Sequence, residues 1–319
     1  MDYVSLTKIE EARQFLSQFF SPTRLVSAPA LSRRANCEVY LKLESELPTG
    51  SFKLRGALFA LHSRLEENSI REVVTSSTGN HGAAVAYAAR SLDISATIFL
   101  PINPNPVKRA NIAGLGATII ESGASLTESV SAAHEYARQK NAYLLDDATD
   151  PNILIGTATI ASEILEQLPD VNAIYVPVGD TALIRGIAAF SKQTRPLVTI
   201  MGVQAAGAPS YYHSWKTGSM KLSCPCDTIA DGLATSRPVL RNVEAIRQLV
   251  DEMELVTEEE MLGAIRYLFQ EERIKSEPAG AATTAALLKR TTNSPSERIV
   301  LVVSGCNIAP EVFSAAIPS

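Results

Sequence analysis

The chain has 319 residues, 46% of them hydrophobic and 20% charged, with a formal net charge of −5. Such a composition supplies a large core, and the length argues for two lobes, while the acidic balance and the lack of any long Lys/Arg cluster exclude nucleic acid and anionic membrane as expected partners. Met1-Asp2-Tyr3 does not begin a signal peptide, and no stretch of about 18 residues is free of charge and polar breaks. The four cysteines, Cys37, Cys224, Cys226 and Cys306, are scattered without CxxC spacing. A cytoplasmic protein with reduced thiols and no zinc site is therefore expected.

Along the chain, the first segment that carries chemistry is Thr49-Gly50-Ser51-Phe52-Lys53-Leu54-Arg55-Gly56-Ala57, a polar loop running into an apolar helical stretch through residue 65. Lys53 stands between Phe52 and Leu54, with small residues on both sides. Desolvation there lowers an ammonium pKa and releases a free amine for imine chemistry. The alternative is that Ser51 caps the helix and Lys53 is solvated on its first turn.

Short β-rich runs then alternate with alanine-rich helical stretches, at residues 72–76, 96–100, 117–121, 142–145, 173–178, 198–203 and 299–303. This pattern predicts an α/β fold with parallel sheets covered by helices and ligands bound beyond the carboxyl ends of the strands. Residues 47–147 are read as a small substrate-binding lobe, and residues 1–46 with 148–319 as a large lobe.

Several of these strands end in loops suited to anions. After 72–76 come Ser77, Thr78, Gly79, Asn80, His81 and Gly82, and then a helix whose first amides and dipole favour a carboxylate. An ordinary capped turn explains the same residues. After 173–178 come Gly179, Asp180, Thr181, Ala182 and Leu183, a candidate phosphate cradle. Asp180 opposes an anion there: about 4 Å from a phosphate charge its carboxylate costs on the order of 4 kcal/mol. Its side chain is therefore expected to turn away and cap the helix. After 299–303 come Ser304, Gly305, Cys306 and Asn307, where Ser304 presents a neutral hydroxyl and Cys306 reads as a packed thiol.

Taken in order, these four segments resemble the fold-type II family of pyridoxal-phosphate enzymes, most closely its serine/threonine dehydratase and serine racemase branch. The resemblance runs from Pro22-Thr23 to Asn307 and includes Tyr40-Leu41-Lys42-Leu43-Glu44, Thr228-Ile229-Ala230-Asp231-Gly232 and Glu277-Pro278-Ala279-Gly280-Ala281. It implies the cofactor pyridoxal 5'-phosphate, with Lys53 as the lysine that bonds its aldehyde, Phe52 against the ring, Asn80 at the ring hydroxyl and Ser304 at the ring nitrogen. Gly179, Asp180, Thr181, Ala182 and Leu183 would hold the phosphate. Ser77, Thr78, Asn80 and His81 would bind the carboxylate of an amino acid.

The implied reaction is conversion of L-threonine or L-serine to a 2-oxo acid and ammonia, with Lys53 as the base at Cα. Racemisation is the rival, Thr78 standing where racemases resembling this chain carry the serine that protonates the opposite face. Hydroxyaspartate or phenylserine as substrate, β-replacement, and a silent cofactor-binding relative are the other readings. A homodimer is the family's usual state, and the short stretch after Asn307 suggests no C-terminal regulatory domain.

Two departures stand out. The family's phosphate loop is usually a run of glycines, and here it is Gly-Asp-Thr-Ala-Leu. Where related racemases and dehydratases carry acidic metal ligands, Gln204, Ala208 and Ser210 stand instead, so no divalent cation is expected.

Overall fold

Runs of Val, Ile and Leu too short for helices become the buried strands of two sheets. The computed structural model describes residues 4–68, 70–220, 224–290 and 295–317. Its strands are β1 (Leu25–Ser27), β2 (Glu38–Leu43), β3 (Glu72–Ser76), β4 (Ser95–Leu100), β5 (Thr118–Glu121), β6 (Tyr143–Leu144), β7 (Ala173–Pro177), β8 (Thr199–Ala205), β9 (Glu252–Val256) and β10 (Arg298–Val303). Its helices are α1 (Leu6–Leu16), α2 (Pro29–Ala35), α3 (Lys53–Glu67), α4 (Asn80–Ser91), α5 (Pro106–Gly114), α6 (Leu126–Lys140), α7 (Pro151–Gln167), α8 (Ala182–Thr194), α9 (Ser210–Thr217), α10 (Leu240–Leu249), α11 (Glu258–Glu271), α12 (Pro278–Lys289) and α13 (Pro310–Ala316).

One sheet has six strands in the order β1-β2-β10-β7-β8-β9, the other four in the order β5-β4-β3-β6. Every strand anticipated from the sequence is present, β3 with the expected bounds and the others with ends shifted by one or two residues. The pairs are parallel except β1 with β2, an antiparallel edge in which Leu25 faces Lys42. In the middle of the larger sheet, Ile299 lies opposite both Val39 and Ala173. Buried on both faces, such strands need continuous apolar sequence rather than alternation.

On one face of the six-stranded sheet, Val39, Leu41, Leu301 and Val303 pack with residues of α2, α11 and α12. On the other, Ile174, Val176, Val300 and Val302 pack with α7, α8 and α10. A further core joins α1, α3, α4 and α7 through Ile9, Leu54, Leu58, Val85, Leu154 and Ala158. It lies beside the four-stranded sheet, whose Val73 and Ile98 belong to it.

Two features fix the start of α3, where Lys53 sits. The first is backbone contact with α7: a Cβ on Gly156 would stand 2.5 Å from the Arg55 carbonyl oxygen, and one on Gly56 2.9 Å from Ile153 Cγ2. The second is a buried charge network. Arg55 donates from Nε to Glu44 Oε2 at 2.7 Å and from Nη1 to Glu163 Oε1 at 2.6 Å. Lys42 Nζ donates to Glu163 Oε2 at 2.6 Å and to the Thr23 carbonyl at 2.8 Å. Two cations and two anions balance in a place closed to water, which such groups tolerate only when fully paired. Arg55, Lys42 and Glu44 are completely buried.

Candidate active site

Because β2, β10 and β7 run parallel, the loops that leave their carboxyl ends share one edge of the sheet. They carry Lys53, Ser304 and Gly179 to Leu183 respectively. A bridge between Ser51 and Gly305 and a hydrogen bond from the Phe52 amide to the Ser304 carbonyl (3.0 Å) join the first two loops. From the other sheet, β3 leads into Ser77 to His81 and β6 into Asp146 and Asp147. The two sheets meet here: Lys53 Nζ donates to Asp147 Oδ2 at 2.6 Å, and Asn80 Nδ2 to Glu277 Oε1 at 2.7 Å.

Lys53 is the first residue of α3, and its side chain is 11% exposed. Nζ stands 5.0 Å from the centre of the Phe52 ring. Besides Asp147 it donates to Asp180 Oδ2 at 2.5 Å. The expectation that burial would free the amine is corrected by these contacts. Burial does press the ammonium pKa down, but the Asp147 and Asp180 charges outweigh it and hold Lys53 well above its ordinary value. The solvated, Ser51-capped alternative fails as well, since Ser51 is fully buried and makes no cap.

Asp147 and Asp180 divide one lysine between them. Burial raises both carboxyls; Lys53 then pulls Asp147 below the usual carboxylate range, whereas Asp180, beside the Asp147 charge, stays above its own. Asp147 was not singled out in the sequence. The signal was available: Asp146, Asp147 and Asp150 cluster just past a β-run, where an α/β sheet places its ligands.

At the start of α8, Asp180 does turn onto the helix, accepting from the Ala182 amide through Oδ1 at 2.8 Å. It does not turn away from the site, because its other oxygen is the one on Lys53. Thr181 has φ +78° and its Oγ1 accepts from Arg185 Nε at 2.9 Å. Ala182 and Leu183 are buried.

The start of α4 is close-packed on its loop. A Cβ on Gly82 would stand 2.4 Å from the Ser77 carbonyl oxygen. Ser77 Oγ accepts from the Gly79 amide at 3.3 Å, and Ser77 and Thr78 are half-buried. His81 is buried, its Nε2 3.2 Å from the Leu145 carbonyl oxygen and its Nδ1 3.7 Å from Asp147 Oδ2. Behind it lies a cavity of about 120 Å³ lined by Thr75, Ser76, His81, Leu145 and Asp147 among others.

Asn80 is committed at both ends: its Oδ1 accepts from Asn307 Nδ2 at 2.7 Å, opposite the bond to Glu277. Burial pushes the Glu277 carboxyl up to about 7, against the lowering effect of Asn80. Cys306 Sγ donates to the Ser45 carbonyl at 3.4 Å, and burial raises its pKa, as suits a packed thiol. Gln204 Oε1 accepts from the Tyr212 amide at 2.8 Å and Ser210 Oγ donates to the Thr235 carbonyl at 2.6 Å, so these neutral oxygens serve the protein itself.

The residues fit pyridoxal 5'-phosphate at its aldehyde and ring. A buried amine beside an aromatic face, with Ser304 next to it, is the donor set an aromatic aldehyde needs, and Thr49 Oγ1, Ser51 Oγ and His81 Nδ1 nearby are buried polar atoms without a hydrogen bond. The phosphate end fits less well, because Asp180 Oδ1 already takes the Ala182 amide at the start of α8.

Comparison with known proteins bears on the same residues. The family model "Pyridoxal-phosphate dependent enzyme" matches residues 16–305. L-threonine ammonia-lyase of Geobacter sulfurreducens is 36% identical over 311 residues, which cover 98% of this chain and 77% of that enzyme. Among solved structures, the processed form of threonine deaminase isoform 2 from Solanum lycopersicum superposes with a TM-score of 0.90 at 30% identity, covering 98% of this chain and 88% of the other. Maize serine racemase superposes with a TM-score of 0.91 at 28% identity, covering 99% and 97%. With residues 16–305 matched by the family model and nearly its full length covered by these relatives, the chain belongs to the pyridoxal-phosphate dependent enzyme family.

Proposed function

We propose that the protein converts a β-hydroxy amino acid, L-threonine or L-serine, to a 2-oxo acid and ammonia: water leaves across Cα–Cβ, and water returns to release ammonia. The observation that carries this reading is the convergence of Lys53, the small-residue loop before α4 and Ser304 where the two sheets meet, in a chain 36% identical to an L-threonine ammonia-lyase. Pyridoxal 5'-phosphate supplies the electron sink that makes the Cα proton labile.

The chain's own residues do the rest. Phe52 and Ser304 hold the ring, and the amides and hydroxyls of Ser77, Thr78, Asn80 and His81 receive the substrate carboxylate. Lys53, displaced by the substrate amine, takes the Cα proton. Its flanking carboxylates make it a strong base and keep the proton on Nζ afterwards.

In this reading residues 47–147 carry the substrate and residues 1–46 with 148–319 the cofactor, and the enzyme works as a cytoplasmic homodimer. No helix among the described residues is long and apolar enough to cross a membrane. The likeness to a serine racemase supports one rival, racemisation with Thr78 as the second acid. A panel of β-hydroxy amino acids assayed for keto acid separates the two, with chiral analysis of residual substrate. Keto acid formation lost in Lys53→Ala supports elimination; D-serine accumulating without pyruvate sinks it.

A further inference from the structure

The phosphate end of the cofactor site already contains an anion that belongs to the protein. Asp180 Oδ1 takes the Ala182 amide at 2.8 Å, the first amide of α8 and the natural donor to a phosphate, while Oδ2 takes Lys53 Nζ at 2.5 Å. One side chain thus spans from the cradle to the reactive amine. Asp147 adds a second carboxylate on the same lysine.

The loop has little freedom to rearrange around a newcomer. A Cβ on Gly179 would stand 2.1 Å from the Gly232 carbonyl oxygen, Thr181 is 1% exposed, and its hydroxyl oxygen is held by Arg185. A phosphate dianion gains the helix start only by displacing a carboxylate that already satisfies it, and then meets the charge it displaced.

We propose, on the basis of the cofactor reading above, that Asp180 stands in for the cofactor's phosphate, so that the protein recognises aldehyde and ring and accepts unphosphorylated pyridoxal nearly as well as pyridoxal 5'-phosphate. Asp180 is in this sense a specificity-determining residue for the cofactor. Its raised carboxyl reports the same crowding of negative charge.

The test uses the full chain, freed of cofactor by hydroxylamine and dialysis, and titrated separately with the two aldehydes. Attachment expels one water and gives a new absorbance band; borohydride then delivers hydride to the C=N bond, a proton completes the secondary amine, and peptide mass locates it. We expect dissociation constants within about tenfold of each other for the wild type, and in Asp180→Gly a gain of about 100-fold for pyridoxal 5'-phosphate alone. Inorganic phosphate should compete in the variant and not in the wild type. A wild-type preference for the phosphorylated aldehyde above about 100-fold overturns the inference and leaves the cofactor reading standing. Failure of both aldehydes to attach at Lys53 overturns both. The wild-type ratio decides even where Asp180→Gly does not fold.

Discussion

Replacing Asp147 by Asn removes one of two charges on Lys53 while keeping the shape of the site. At 2.6 Å and an effective dielectric near 20, the pair attracts by about 6 kcal/mol before desolvation is set against it. Burial takes back much of this, and a close opposite charge moves a pKa by about 1–3 in practice. With Asp180 still in place, we expect the Lys53 pKa to fall by about two, equivalent to about 2.7 kcal/mol. Only the neutral amine reacts with an aldehyde, so the midpoint of reaction moves down the pH scale by the same amount. Reductive methylation of the cofactor-free protein with formaldehyde, read on the Lys53 peptide and normalised to exposed Lys216, follows this directly. At pH 8 the Asp147→Asn variant should label about 100-fold faster than the wild type. Equal rates, or a slower variant, would refute the claim that Asp147 holds Lys53 as an ammonium.

Two other perturbations probe the surroundings. The Glu277 carboxyl, raised from 4.5 to about 7 by burial, keeps its proton in the folded state where the unfolded chain has lost it. Stability is therefore highest below pH 4.5 for this group and is lost as pH climbs through 7, by about 3 kcal/mol. Urea titrations at several pH values should show Glu277→Gln without this decline, and a parallel decline in variant and wild type would contradict it. Arg55→Met strands Glu44 and Glu163 without their shared cation, and we expect a loss of about 3–5 kcal/mol. A loss under about 1 kcal/mol in chemical denaturation would mean that the network contributes nothing net.

Seven of the strands were legible because buried parallel strands are continuous apolar runs, whereas β2, interrupted by Glu38 and Lys42, was not. Those that were not anticipated lack that signature. β9 alternates Glu252, Met253, Glu254 and Leu255, as a half-buried edge does, and it lies between helices whose period masks it. β1 is a short, partly exposed edge. In the site, Lys53, Phe52, Asn80 and Ser304 stood out through local setting and order along the chain. The charge state of Lys53 did not, because it is decided by Asp147 and Asp180, which lie 94 and 127 residues away. Local sequence shows an apolar neighbourhood and hence desolvation; the opposing charges arrive only with the tertiary fold.

The buried network under α3 sets a sequence of events in time. Thr23, Lys42, Glu44 and Arg55 leave the ribosome early, with two cations facing one acid. Glu163 follows only with α7. Until then the imbalance keeps these groups in water, since an uncompensated charge does not enter a core. The helix that carries Lys53 therefore waits for a segment made about a hundred residues later, and competence to bind a cofactor is not acquired before α7 is made.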